Sequence, residues 1–292
     1  MLIGFIGDVH GRVFVAVAAV ATWQRKAGRR FDVLVQVGDM GAFPDPERAD
    51  PATAAYLSID PSEADFARLM RAEGALAAHA QRVRAEFSTA IHFLRGNHED
   101  FGWLSRLPVE TGSRTAAVDR FDLLRYVPDG AVLTMGGLRF AFLGGVEEQG
   151  DDAGIHRGAY ERLTALEAEA VDVLVTHEGP YGNSIGFNGD VHGSRLIGAL
   201  VERMQPRFHI AGHAHQLVGP VRHGATTYLG LDGLVASRRW HPEARGLQPG
   251  CLAVLDTEAE KLSVVSDDWL TAFPTPFDFE TWCDESGGTA TQ

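Results

Sequence analysis

Five apolar segments of this chain each end by delivering an oxygen or nitrogen donor at a glycine-marked turn. Leu2-Ile3-Gly4-Phe5-Ile6 leads into Gly7-Asp8-Val9-His10-Gly11, and Val33-Leu34-Val35-Gln36-Val37 leads into Gly38-Asp39. Ile91-His92-Phe93-Leu94 leads through Arg95 into Gly96-Asn97-His98-Glu99. Val173-Leu174-Val175-Thr176 precedes His177-Glu178-Gly179-Pro180, and Phe208-His209-Ile210-Ala211 precedes Gly212-His213-Ala214-His215. One strand followed by Gly-Asn is an ordinary turn; five such segments are a pattern. The collected donors are Asp8, His10, Asp39, Asn97, His98, His177, His213 and His215. Two carboxylates, one amide and several imidazoles suit divalent or trivalent first-row ions such as Mn, Fe or Zn. They are too many for one tetrahedral zinc, and no cysteine joins them. Two metal ions held about 3.5–4 Å apart would form a clamp for in-line displacement at phosphorus.

Such donors must converge, and open α/β sheets gather ligands beyond the carboxyl ends of their strands. Residues 1–42 read as strand, helix and strand, with Val13 to Ala27 a crossover helix that ends in basic residues and Gly28. Asp8 and His10 lie two apart at a strand end, so their side chains can share a side. Residues 43–89 form an insertion, punctuated by Pro44, Pro46, Pro51 and Pro61. Ser62 with Asp65 resembles a helix start, and Ala64 to Phe87 reads as one long helix. The insertion is either a plain helical addition or a lid over the site. Asp100 to Leu107 fits a short helix. Residues 120–144 read as close-spaced strands with hairpin turns at Asp129-Gly130 and Gly136-Gly137. A parallel α/β half therefore gives way to a more antiparallel sheet. Helices are expected over Ala159 to Ala170 and Asp190 to Met204, with the glycine-rich segment 179–193 as a mobile loop at the site. Further strands fall at Leu217–Val221, Ala225–Leu231, Cys251–Asp256 and Leu262–Val265.

At 292 residues the chain has ample length for a buried core, and 45% hydrophobic with 22% charged residues is the composition of a soluble globular protein. No apolar run approaches a membrane span, and no secretory leader is visible, so a cytoplasmic protein is expected. Cys251 and Cys283 stand outside any metal or redox motif and read as reduced thiols. A formal net charge of −13 disfavours tracking of long nucleic acid, which needs clustered Lys and Arg. A small, locally held anion remains compatible, because bound cations make a site positive whatever the total charge. Residues 267–292 form a tail with enough aromatic surface to dock, and its end, from Glu285, is expected to be disordered.

The series Asp8-x-His10, Gly38-Asp39, Gly96-Asn97-His98-Glu99, His177 and Gly212-His213-x-His215 resembles the complete signature of the calcineurin-like metallophosphoesterase superfamily, across about residues 2–216. The resemblance implies an α/β (α+β) fold: a four-layer αββα sandwich of two mixed β-sheets flanked by helices, here with the helical insertion. One domain is expected over 1–266, and the resemblance implies a first metal on Asp8, His10 and His215. Asp39 would bridge to a second metal on Asn97, His177 and His213. His98 would face the scissile phosphate as a proton donor, and a metal-bridging hydroxide would attack in line. Arg95 resembles the phosphate-contacting arginine of phosphoprotein phosphatases, although a surface arginine would stand there equally well. Those phosphatases carry Asp and Arg just beyond the second motif. Here Asp39 is followed by Met40-Gly41-Ala42-Phe43, so the acid that would orient His98 is missing from its place. The Gly-Asp-Met start, the insertion and Thr176-His177-Glu178-Gly179-Pro180 are also similar to RNA lariat debranching enzymes, which often have Cys where this chain has Asp8. The expected activity is hydrolysis of a nucleotide or small phosphodiester. A phosphomonoesterase is the alternative, and a non-catalytic scaffold a further one. His156 and His192 border loops that could roof the pocket.

Overall fold

Alternation along the first strand already defines two of the layers. In β1 (Leu2–Ile6), Ile3 and Phe5 point into one apolar cluster while Leu2 and Ile6 point into another. A computed structural model describes residues 1–185, 189–234 and 246–287. β1 pairs in parallel with β2 (Val33–Gln36), β2 with β3 (Ile91–Phe93), and β3 with β5 (Leu124–Tyr126). The edges of this sheet are antiparallel: β4 (Ala116–Ala117) beside β5, and β14 (Leu252–Asp256) with β15 (Lys261–Val264) beside β1. The second sheet has the same design. β7 (Leu138–Leu143), β8 (Val173–Thr176), β11 (Phe208–Ala211) and β13 (Thr226–Gly230) are parallel, with β6 (Val132–Met135) and β12 (Val218–His223) antiparallel at its edges. The sheets are therefore both mixed, rather than one parallel half followed by an antiparallel half.

Phe5, Val35, Leu94, Phe142, Val175 and Ile210 pack between the sheets. Helix α1 (Val13–Ala27), ended by Gly28 at φ 62°, covers the outer face of the first sheet. Helices α6 (Arg157–Thr164) and α7 (Arg195–Met204) cover that of the second. Four layers result. Both helices are shorter than expected: α7 starts only at Arg195, where the Ser194 hydroxyl caps it, and α6 starts two residues early but ends at Thr164. Residues Val191–His192 instead form β10, paired with β9 (Ser184–Ile185) in a hairpin whose tip lies outside the described residues. No described helix is long and apolar enough to cross a membrane.

Two further expectations are corrected. Asp129-Gly130 is not a hairpin turn: β5 belongs to the first sheet and β6 to the second, so the chain crosses between layers there. The dipeptide signals a turn, but pairing depends on distant strands. Nor is the insertion one long helix. It contains α2 (Pro51–Leu57), α3 (Asp65–Met70) and α4 (Gly74–Arg84), and Gly74 at φ 53° breaks the run. The turn before α3 is capped by Asp60 ahead of Pro61, while the Ser62 hydroxyl accepts from the Phe277 amide at 3.1 Å. α5 (Phe101–Leu104) carries Asp100 as its cap.

The tail docks onto this same layer. Phe279 in α8 (Phe279–Gly287) stacks on Phe14 of α1 with ring centroids 4.4 Å apart, a pairing worth about 0.5–1.5 kcal/mol beyond its buried area. Arg25 lies over Trp282, and Phe273, Phe277 and Cys283 complete the cluster. Glu285 and Ser286 belong to α8, whereas residues 288–292 lie outside the described residues.

Candidate metal centre

The ends of β1, β2, β3, β8 and β11 meet at one edge of the sandwich, where backbone strain and backbone donors fix the side chains together. His10, Asp39, His213 and His215 all have φ between 46° and 66°, a left-handed region costing non-glycine residues about 1–2 kcal/mol each. Asp39 Oδ1 accepts from the amides of Asn97 and His98 at 2.7 and 2.8 Å. Asp8 accepts from the amide of His213 at 3.0 Å. Each carboxylate of one sheet segment is thus gripped by the turn of another. This explains two of the glycines: a Cβ on Gly96 would collide with Asp39 Oδ1, and one on Gly212 with Asp8 Oδ1.

Seven of the eight expected donors fall into two facing sets. Asp8, His10 and His215 place ligand atoms within 4.8 Å of one another, as do Asp39, His177 and His213. His10 Nε2 and His215 Nε2 are 3.0 Å apart, and His215 Nε2 is 3.1 Å from Asp8 Oδ2. His177 Nδ1 donates to the Val37 carbonyl at 3.0 Å, so its Nε2 faces Asn97 Oδ1 at 2.9 Å and Asp39 Oδ1 at 3.5 Å. Asn97 thereby joins the second set. His10 Nε2 lies 3.7 Å from Asp39 Oδ2, which brings Asp39 within reach of both. Lone-pair atoms converging on one another in this way, with hard oxygen and borderline nitrogen donors, fit first-row cations.

The electrostatics divide the four imidazoles of these sets into two kinds. Burial opposes ionisation of Asp8, but the bond from His215 and nearby imidazole charge hold its carboxyl below the usual range. Burial likewise opposes ionisation of Asp39, and the charge of His177 and its contact drive it well below. Burial pulls His10 down to about 3 and His213 to about 4, so both are neutral imidazoles, the form that ligates. Against the same burial the Asp39 carboxylate raises His177 to about 9 and Asp8 raises His215, so these two must give up a proton to ligate.

His98 stands beside these sets, its ring 5.5 Å from that of His10. The acid absent from the second motif comes from the insertion instead: Asp50 Oδ2 lies 2.9 Å from His98 Nδ1. Asp50 is itself fixed as the cap of α2, accepting from Ala52 N, Thr53 N and the Thr53 hydroxyl. Burial lowers the His98 pKa, but the Asp50 bond and the Asp39 charge outweigh it and raise the imidazole to about 9. Asp50-Pro51-Ala52-Thr53 is a readable helix start, yet nothing local says that its cap faces a residue 48 positions away. Glu99 has a task that its place in the third motif does not announce. Its carboxyl accepts from the amides of Met40, Ala42 and Gly96, tying the second and third motifs together.

Arg95 does not face the site. It is 2% exposed, and its guanidinium donates to Asp129 Oδ2 at 2.7 Å and to the carbonyls of Asp152 and Gly154. A buried carboxylate and two carbonyls claim the fork that was expected to hold phosphate. His156 lies 3.1 Å from the same Asp129, and His192 is exposed on β10. His209 is buried against the Thr176 hydroxyl at 2.8 Å, a core contact.

Residues 1–217 match the sequence model of the calcineurin-like phosphoesterase family. A 58-residue stretch is 40% identical to a UPF0046 protein of Caenorhabditis elegans, covering 20% of each chain. A longer alignment, 24% identical over 343 positions, relates 94% of this chain to 63% of a lariat debranching enzyme of Caenorhabditis briggsae. The chain thus spans less than two thirds of either relative. A solved structure with 13% identity superposes with a TM-score of 0.53 over 91% of this chain and 98% of its own, a likeness of fold.

Proposed function

We propose that this chain, which belongs to the calcineurin-like phosphoesterase family and is a hydrolase of phosphoester bonds, acts on a phosphodiester of nucleotide size. The observation that carries the reading is the pair of facing carboxylate–imidazole sets with an Asp50-backed histidine beside them. Asp8, His10 and His215 would hold one Mn, Fe or Zn ion, and Asn97, His177 and His213 a second, with Asp39 shared. When bound, the two ions supply positive charge to the phosphate oxygens and acidify the attacking water. The chain does the rest. Its amides at Asn97, His98 and His213 keep both carboxylates oriented. Asp50 holds Nδ1 of His98, so that Nε2 is the free ring atom, and an imidazole kept protonated to about 9 can give its proton to the leaving oxygen.

Arg95 supports the diester over the monoester reading. A monoester dianion gains most from a guanidinium fork, and the one expected here is occupied by Asp129. The similarity to a lariat debranching enzyme, whose name denotes cleavage at a branch, supports the same reading. The −13 charge favours a small nucleotide over a long strand. The test is parallel hydrolysis of bis-p-nitrophenyl phosphate and p-nitrophenyl phosphate by metal-stripped protein with Mn²⁺ restored. Faster cleavage of the diester is expected. Faster cleavage of the monoester would replace this reading with a phosphomonoesterase, and Mn²⁺-independent cleavage would remove the metal centre from it.

A further inference from the structure

The segment after His177 returns to the sandwich through an exposed hairpin, and its base is built more firmly than a loop needs. Ser194 N donates to Gly179 O and Tyr181 N to Ser194 O, both at 2.9 Å, and Gly182 N donates to His192 O at 3.0 Å. The Ser194 hydroxyl and the Leu196 amide are anchored on Glu147, whose own amide donates to Glu178. On this base Arg195 lies over the ring of Tyr181, 3.9 Å from its centroid. Tyr181 is 45% exposed, and the Arg195 side chain forms no ion pair among the described residues, in a chain with a formal charge of −13. A half-exposed aromatic ring backed by a guanidinium with no ion pair among the described residues is unusual in so acidic a chain.

Its placement is fixed from two sides. β8 ends at Thr176 and α7 starts at Arg195, so both residues of the stack lie at the strand ends that carry the metal-ligand candidates. On the far side Ile185 is hydrogen-bonded in both directions to Gln216, the residue after His215. The hairpin is therefore suspended between His177 of one donor set and His215 of the other. Ile185 and Val191 pair across it and are 56% and 48% exposed.

We propose that Tyr181 and Arg195, with Ile185 and Val191 beside them, form the subsite for the base of a nucleotide phosphodiester. The inference rests on the phosphodiesterase reading and adds which half of the substrate is recognised. A nucleobase stacks on the tyrosine whatever its hydrogen-bond pattern, and the guanidinium adds a cation to the stack and charge toward the adjoining phosphate. The subsite thus selects aromatic, base-bearing diesters over alkyl ones without choosing strongly among bases.

The experiment compares thymidine 5′-(p-nitrophenyl phosphate) with methyl p-nitrophenyl phosphate on the full chain loaded with Mn²⁺. Tyr181→Ala is expected to lower kcat/KM for the thymidine ester about tenfold more than for the methyl ester, the scale of one base–aromatic stack, with the loss in KM. Tyr181→Phe should restore the ratio, and Arg195→Ala should reduce it by a smaller factor. Equal losses on both esters, or an unchanged ratio, would overturn the subsite. Binding of thymidine 5′-monophosphate by calorimetry separates the two readings. A wild-type chain that cleaves neither ester yet binds the monophosphate more tightly than Tyr181→Ala does retains the subsite and loses the phosphodiesterase. Equal binding by the two chains refutes the subsite.

Discussion

The turns that end β1, β2 and β11 hold four donor side chains on left-handed backbone, whereas the insertion reaches the same site through ordinary capped helices. In the turns, position is stored in strain and in amides that grip carboxylates. In the insertion, position is set by charge. Arg12, directly after the first motif, is buried and donates to Asp60 at 2.6 Å and Glu63 at 2.9 Å. The Phe66 amide donates to the Gly11 carbonyl at 2.9 Å. The 43–89 segment is thus clamped to the turn that carries His10, and Asp50 is delivered to His98 from a fixed wall. The contrast teaches that one site can draw ligand geometry from its sheet and proton-transfer geometry from an addition to it.

Removing a donor from the turns is the largest break available. Asp39→Ala should abolish hydrolysis and lower bound metal, because it forfeits several kcal/mol of charge stabilisation, roughly a thousandfold or more. Metal analysis alongside kinetics checks both. His98→Ala should cost about a hundred- to ten-thousandfold in kcat, the span for a lost proton donor, with metal content retained. Loss of metal in this variant would assign His98 to the ligands instead.

The insertion side is sharpened by Asp50→Asn, which keeps a capping side chain but removes the charge facing His98. A fall in kcat of about 10- to 100-fold is expected, the equivalent of one hydrogen bond to a charged group, with thermal stability near wild type. An unchanged kcat would make Asp50 a cap and nothing more. Arg12→Met strands two buried carboxylates and should destabilise by about 3–5 kcal/mol in denaturant titration. A loss below 1 kcal/mol would show that the clamp is not what holds the insertion.

The smallest effect is in the pH dependence. Burial raises Glu63 from 4.5 to about 7 and Asp65 from 3.8 to about 7 in the fold. The folded chain then binds more protons than the unfolded chain across that interval, so their contribution to stability is present at low pH and is lost as pH rises toward 7. Glu63→Gln should flatten the decline, measured as melting temperature from pH 5 to 7.5. A slope identical to wild type would mean that Glu63 is already ionised in the fold.

The donor set was legible because its members sit at the ends of short apolar strands, with a glycine close by in every case, and that sequence of residue types has few uses. Short apolar runs gave the strands, and Gly28 marked the end of α1. Asp129-Gly130 misled because a turn dipeptide reports local bending, while the sheet a strand joins is set by partners such as Phe93 and Phe142 far along the chain. Arg95 misled for a related reason. A guanidinium goes wherever a buried carboxylate most needs it, and Asp129 is 34 residues away.

The sequence by itself determined which side chains lie at strand ends and, through its glycines, which turns can bring backbone against carboxylate. Those are consequences of φ/ψ sterics and strand periodicity, which act over a few residues. Only the tertiary structure decided that Asp50 backs His98, that Arg95 turns away, and that Tyr181 meets Arg195 between His177 and His215. Each of those depends on charges and rings meeting across many intervening residues, where burial makes the Coulomb and desolvation terms large and nothing in the local chain records the partner.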